Sequence, residues 1–103
     1  MSLDLAILDP NGFPSRTVSL EVDDHWTIIS IARQKNLDSV LRLSDYYGET
    51  EISPGEFAKL DDELSIIGDQ FPRDERLQKI VRDIRELIIS AKRINASVHA
   101  LPD

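Results

Sequence analysis

The 103-residue sequence predicts an α+β fold: an N-terminal antiparallel β-hairpin, a candidate C-terminal strand, and three or four helices packed on one face. Three observations predict it. Apolar residues alternate at Leu3, Leu5 and Ile7 and again at Val18, Leu20 and Val22, the period of half-buried strands. Counted at about 100° per residue, Leu77, Ile80, Val81, Ile84, Leu87, Ile88, Ala91 and Ile94 fall on one side of a helix, a stripe wide enough to face a core. Shorter helical patterns punctuated by Pro and Gly lie between the two. With 41% apolar residues, residues 1–103 form one domain with a single core, burying roughly two-thirds of the unfolded surface.

In chain order, Leu3, Leu5 and Ile7 alternate with Asp4, Ala6 and Leu8, a strand buried on one face, partly on the other, and not at the outside of its sheet. Asp9-Pro10-Asn11-Gly12 has Pro and Gly at the positions that a type I turn favours, and Phe13-Pro14 extends the loop. A second strand begins at Arg16, with Val18, Leu20 and Val22 inward and Thr17, Ser19 and Glu21 on the wetter face. Asp23 or Asp24 is placed to cap the next helix, which buries Ile28, Ile29, Ile31 and Ala32, leaves Trp26 just beyond one edge and runs to about Asn36. Residues 37–53 admit two readings. The preferred one is a short helix capped by Asp38, carrying Val40, Leu41 and Leu43 and stopping at Gly48; the other is two short strands around a turn at Asp45-Tyr46-Tyr47-Gly48.

Ser53-Pro54-Gly55-Glu56 is a capping box opening a helix whose inward face is Phe57, Leu60, Leu64 and Ile67, whose acids Asp61, Asp62 and Glu63 point elsewhere, and which Gly68 ends. Pro72 suits the first position of the long helix, Asp74 and Glu75 its positive first turn, Lys92 and Arg93 its negative end, and Asn95 a left-handed cap. Val98 and Leu101 lie in a segment placed to add an edge strand to the hairpin.

Most catalytic machinery is excluded. The chain has no cysteine, so thiolate catalysis, disulfides and cysteine-held zinc are ruled out. His25 and His99 occur in no metal-ligand spacing, and no nucleophile elbow, phosphate-binding loop or dinucleotide fingerprint is present. The acids from Asp45 to Glu51 fail the spacing of a calcium loop. Asp61 and Asp62 diverge by about 100° on a helix, a spacing at which two carboxylates rarely share a site. The expectation is a protein that is not an enzyme and takes no cofactor. No apolar run approaches the ~18 residues of a membrane span, and Met1-Ser2-Leu3-Asp4 lacks a signal-peptide pattern, so the expected location is cytoplasmic.

The net charge of −7 is the property of one segment: residues 44–72 carry −7 and the rest sums to zero. Such a chain is repelled by nucleic acid and anionic membranes, and a basic protein is its natural complement. The candidate partner-binding residues are Asp45, Tyr46, Tyr47, Glu49 and Glu51, followed by Asp61, Asp62 and Glu63. Tyrosine supplies stiff contact area with a polar tip, and the carboxylates steer a cationic partner. A second candidate lies on the 73–94 helix, where Ile89, about 140° from Ile84, sits among Arg82, Arg85, Lys92 and Arg93. That basic face is suited to the acidic segment of a second copy, making a homodimer, or of the same chain.

A small acidic chain without catalytic motifs, carrying Leu43-Ser44-Asp45-Tyr46-Tyr47-Gly48 before an acidic helix, resembles the immunity proteins that neutralise bacterial toxins and is similar to small bacterial proteins of unknown function. The resemblance implies that the acidic segment occludes a basic toxin surface. The alternative is a structural or regulatory homodimer built on the basic helix face.

Overall fold

The two alternating segments pair as the sequence predicts. In the computed structural model, which describes residues 2–102, β1 (Leu3–Leu8) and β2 (Pro14–Leu20) form an antiparallel hairpin with Leu3 opposite Leu20 and Leu5 opposite Val18. Its turn is held by Asp9, whose carboxylate accepts from the N–H groups of Asn11 and Phe13 at 2.9 Å each. Gly12 donates to the Asp9 carbonyl at a φ of +84°, a backbone that favours glycine.

The C-terminal strand is not at the edge. β4 (Val98–Pro102) pairs with β1 on one side and with β3 (Thr50–Ile52) on the other, giving an antiparallel sheet ordered β2-β1-β4-β3. Only three residues make β3, too few to show a period, and its pairing is set by the partner: Thr50 opposes Ala100 and Ile52 opposes Val98. Leu3, Leu5, Ile7, Leu20, Ile52, Val98 and Ala100 form the sheet's contribution to one core, which the helices complete. The opposite face carries Asp4, Thr17, Ser19 and His99; Asp4 Oδ1 accepts from the hydroxyls of Ser2 and Ser19 at 2.7 Å.

Helix α1 spans Val22–Lys35, so Val22 is an exposed helical residue rather than the inward end of β2. Its cap is Glu21, not Asp23 or Asp24; Asp24, three residues on, receives the Glu21 N–H at 3.2 Å and is drawn inside by Arg76, whose guanidinium donates twice at 2.7 and 3.0 Å. The predicted inward residues Ile28, Ile29, Ile31 and Ala32 are buried. Helix α2 is short, Asp38–Leu41, and stops well before Gly48; both readings of residues 37–53 hold a part of the answer, a helical turn first and a strand afterwards.

The capping box is present, with Glu56 accepting from the Ser53 N–H at 2.9 Å, but it opens a 3-10 turn, Pro54–Glu56, that leads into α3 (Phe57–Gln70). Gly68 does not end α3. Helix α4 spans Glu75–Arg93 and starts from Asp74, whose carboxylate accepts from the Leu77 N–H at 3.1 Å; Pro72 lies in the turn before it. The stripe from Leu77 to Ala91 is buried, whereas Ile94, one residue past the helix, is exposed because the chain has already turned away. Asn36 and Asn95 close α1 and α4 alike, at φ of 57° and 55°, each followed by a residue whose N–H returns five positions at 2.9 Å. Among the described residues no helix is long and apolar enough to cross a membrane.

Candidate functional site

The residues singled out by the sequence divide between two surfaces on different elements. The first is the loop from Ser44 to Glu49 with the strand that follows. Its entry is fixed by His25, buried in the first turn of α1, whose Nε2 lies 2.6 Å from the Leu43 carbonyl; a carbonyl only accepts, so this nitrogen carries a proton. Its exit is fixed by Arg42, which pairs with the Glu56 carboxylate and donates to the Glu51 carbonyl at 2.9 Å, while the Thr50 hydroxyl donates to the Arg42 carbonyl at 3.2 Å. The Ser53 N–H first, and Arg42 after it, hold the Glu56 carboxyl below its ordinary pKa against the opposing effect of burial.

Between these anchors the chain makes a tight turn. The Gly48 N–H donates to the Asp45 carbonyl at 3.1 Å, and the Tyr47 N–H to the Asp45 carboxylate at 2.9 Å. A Cβ at Gly48 would stand 2.7 Å from Asp45 Oδ2 and 2.9 Å from Cγ, so glycine is what lets that carboxylate fold back. Tyr46 packs against the core and meets His25 edge to face at 5.1 Å; Tyr47 meets Tyr46 in the same way at 5.3 Å. Tyr47 nevertheless stands 69% exposed. Asp45, Glu49 and Glu51 are exposed with it, and among the described residues none of these three pairs with a cation.

The three acids of α3 separate from that loop and from one another. Glu63 is only 5% exposed and does not belong to a partner surface: Oε1 accepts from the Val40 N–H at 2.9 Å and Oε2 from the Ser39 N–H at 3.3 Å, so it caps α2 in place of Asp38. Asp61 receives two bonds from Arg85, at 2.8 and 3.2 Å, and its charge is spent within the chain. Asp62 is exposed. Helical spacing separates these side chains by about 100° each, but which neighbour each one meets is a tertiary fact.

Asp61 and Asp62 instead help line the second surface, a groove of about 570 Å³ between α3 and α4. Arg82, Arg85 and Ile89 line its other wall, so the structure brings part of the acidic set and most of the basic set into one place; Arg93 is exposed and lies outside it. Phe57, Val81 and Ile88 make an apolar floor, and Ile89 is 55% exposed, as its angle from Ile84 predicts.

A third feature appears only in the fold. Trp26 and Phe71, both exposed, line a shallow depression of about 620 Å³ together with Ile31 and Arg33. The position of Trp26 beyond the buried arc signals its exposure; nothing in the sequence signals that Phe71 joins it. Comparison with family models, with curated proteins and with solved structures returns no match.

Proposed function

We propose that this protein is a binding module whose contact surface is the acidic loop around Tyr47, and that its partner is a basic protein. One observation carries the reading: a tyrosine 69% exposed to water is nonetheless braced from the core outward, His25 on the Leu43 carbonyl, Tyr46 on His25 and Tyr47 on Tyr46. An aromatic ring already held in place loses little conformational freedom on docking, so more of its burial appears as affinity. The surrounding carboxylates of Asp45, Glu49 and Glu51 supply the long-range attraction that speeds encounter with a cationic surface. Following the resemblance of the Leu43–Gly48 stretch, the partner class is a bacterial toxin with a basic active surface, and the biological act is occlusion. Glu63 and Asp61 take no part; the surface is smaller than the charge distribution predicts.

The test is kinetic. Against the cognate basic protein, taken from the genes adjoining this one, lysine at Asp45, Glu49 and Glu51 lowers the association rate and flattens its salt dependence, whereas Tyr47→Ala raises the dissociation rate. Unchanged rates for both variants would remove the loop from any interface.

A further inference from the structure

The α3/α4 groove has a property that neither wall has alone. Gly68 accepts from Gln78 at 2.7 Å and Asp61 from Arg85 at 2.8 Å, so the two helices run antiparallel, and descending α3 ascends α4 residue by residue. On that register Ala58 comes near the level of Ile88 and Ile89, and Asp62 near that of Ile84, within about one helical turn of both Arg82 and Arg85. Once Arg85 and Asp61 have neutralised each other, the α3 wall retains the exposed acid Asp62, and the α4 wall retains Arg82 and Lys92 with one acid, Glu86. One wall is negative, the other positive, and on the positive wall Ile89 stands 55% exposed.

A surface divided in this way complements itself. We propose that the groove is a homodimer face in which two copies meet about a two-fold axis running along it, so that α3 of each copy lies over α4 of the other. An axis along the groove keeps axial levels unchanged while exchanging the walls: Asp62 of one copy meets Arg82 of the other, and Ile89 of one copy settles over Ala58 of the other, where the smallest side chain with a Cβ leaves room. A two-fold axis across the groove would set α3 against α3 and α4 against α4, negative wall on negative and positive on positive, which like-charge repulsion disfavours. The occupant fitted by this charge pattern is therefore a second copy of the chain. The surface is distinct from the Tyr47 loop, so either proposal stands or fails without the other.

Sedimentation equilibrium from micromolar to millimolar protein, with circular dichroism to confirm the fold, tests it. The expected result is a reversible dimer weakened by at least about tenfold in Ile89→Glu, in Asp62→Arg and in Arg82→Asp. Ala58→Trp, at an exposed helical position, blocks the seat from the other side and should weaken it likewise. The decisive arm mixes Asp62→Arg with Arg82→Asp in equal amounts. Each mixed dimer then pairs the new arginine with the new aspartate at one contact and keeps the native pair at the other, so association should return towards the wild-type level. A wild type that is monomeric throughout the range, a dimer indifferent to Ile89→Glu and Ala58→Trp, or a mixture that associates no better than its components would each overturn the proposal.

Discussion

Replacing Glu63 by alanine separates a structural acid from its neighbours more sharply than any other single change. Its carboxylate is buried and accepts from two main-chain N–H groups of α2, the Val40 bond at 2.9 Å inside the core and the Ser39 bond at 3.3 Å nearer the surface. A hydrogen bond to a charged group contributes about 1.5–3 kcal/mol net. The Val40 N–H keeps no access to water after truncation and carries the full amount; the longer Ser39 bond is partly replaced by solvent. The expected loss is about 3 kcal/mol, a large share of the roughly 5–15 kcal/mol available to a domain of this size. With a urea slope of about 1 kcal/mol per molar, the midpoint should fall by about 2–3 M while the slope itself is unchanged. Glu63→Gln should fall between, because one end of the amide still accepts while the other presents a donor to a donor. Asp62→Ala, one residue away and exposed, should move stability by less than about 0.5 kcal/mol. Equal midpoints for Glu63→Ala and Asp62→Ala would refute the assignment of Glu63 as the cap of α2.

Three further outcomes follow from the same geometry. Ile84→Asp places a charge at a position 2% exposed and should cost several kcal/mol, whereas Ile89→Asp should cost far less; matching denaturation midpoints would contradict the register of α4. Gly68→Ala should raise stability by about 0.5–1 kcal/mol, since Gly68 is inside α3 and an added Cβ meets its neighbours no closer than 3.6 Å; a lower melting temperature would show that the site is tighter than this. The Arg76 guanidinium holds the Asp24 carboxyl below the ordinary carboxylate range, burial opposing it and the Glu21 N–H adding to it. Because the folded value lies under the unfolded one of about 4, this stabilisation is complete above that pH and is lost as pH falls through the folded value. Asp24→Asn should therefore flatten the acid limb of the melting curve below about pH 4, and an acid limb identical to the wild type's would count against the pair.

The legible parts of this fold are those whose signal is local and repeated. Leu3, Leu5 and Ile7 announce a strand, and the stripe through Ile84 announces α4, because burial of one face imposes a period on many residues at once. Asn95 is legible as a left-handed cap because few other residues tolerate that backbone. The errors cluster where one residue decides. Pro72 and Gly68 read as boundaries, yet a proline is equally at home in the turn before a helix, and a glycine inside a helix costs only about 1 kcal/mol. Val22 continues an alternation by chance after the strand has ended. The central place of β4 and the existence of β3 depend on pairings between distant segments that leave no period in so short a strand. At the candidate site, Tyr47 and its carboxylates are visible as composition, and Ile89 as an angle. The burial of Glu63 and the pairing of Asp61 with Arg85 are invisible, because a helical wheel gives direction but not the identity of the facing neighbour.

The claim that the Tyr47 loop is an interaction surface is tested most directly by placing a photo-crosslinking phenylalanine analogue at Tyr47 and, separately, at the exposed Arg93, in cells that also make the protein's natural partners. Irradiation should link the Tyr47 position to a basic protein, the Arg93 position should not link to it, and lysine at Asp45, Glu49 and Glu51 should abolish the product. A Tyr47 position that yields no adduct beyond those seen from Arg93 would contradict it.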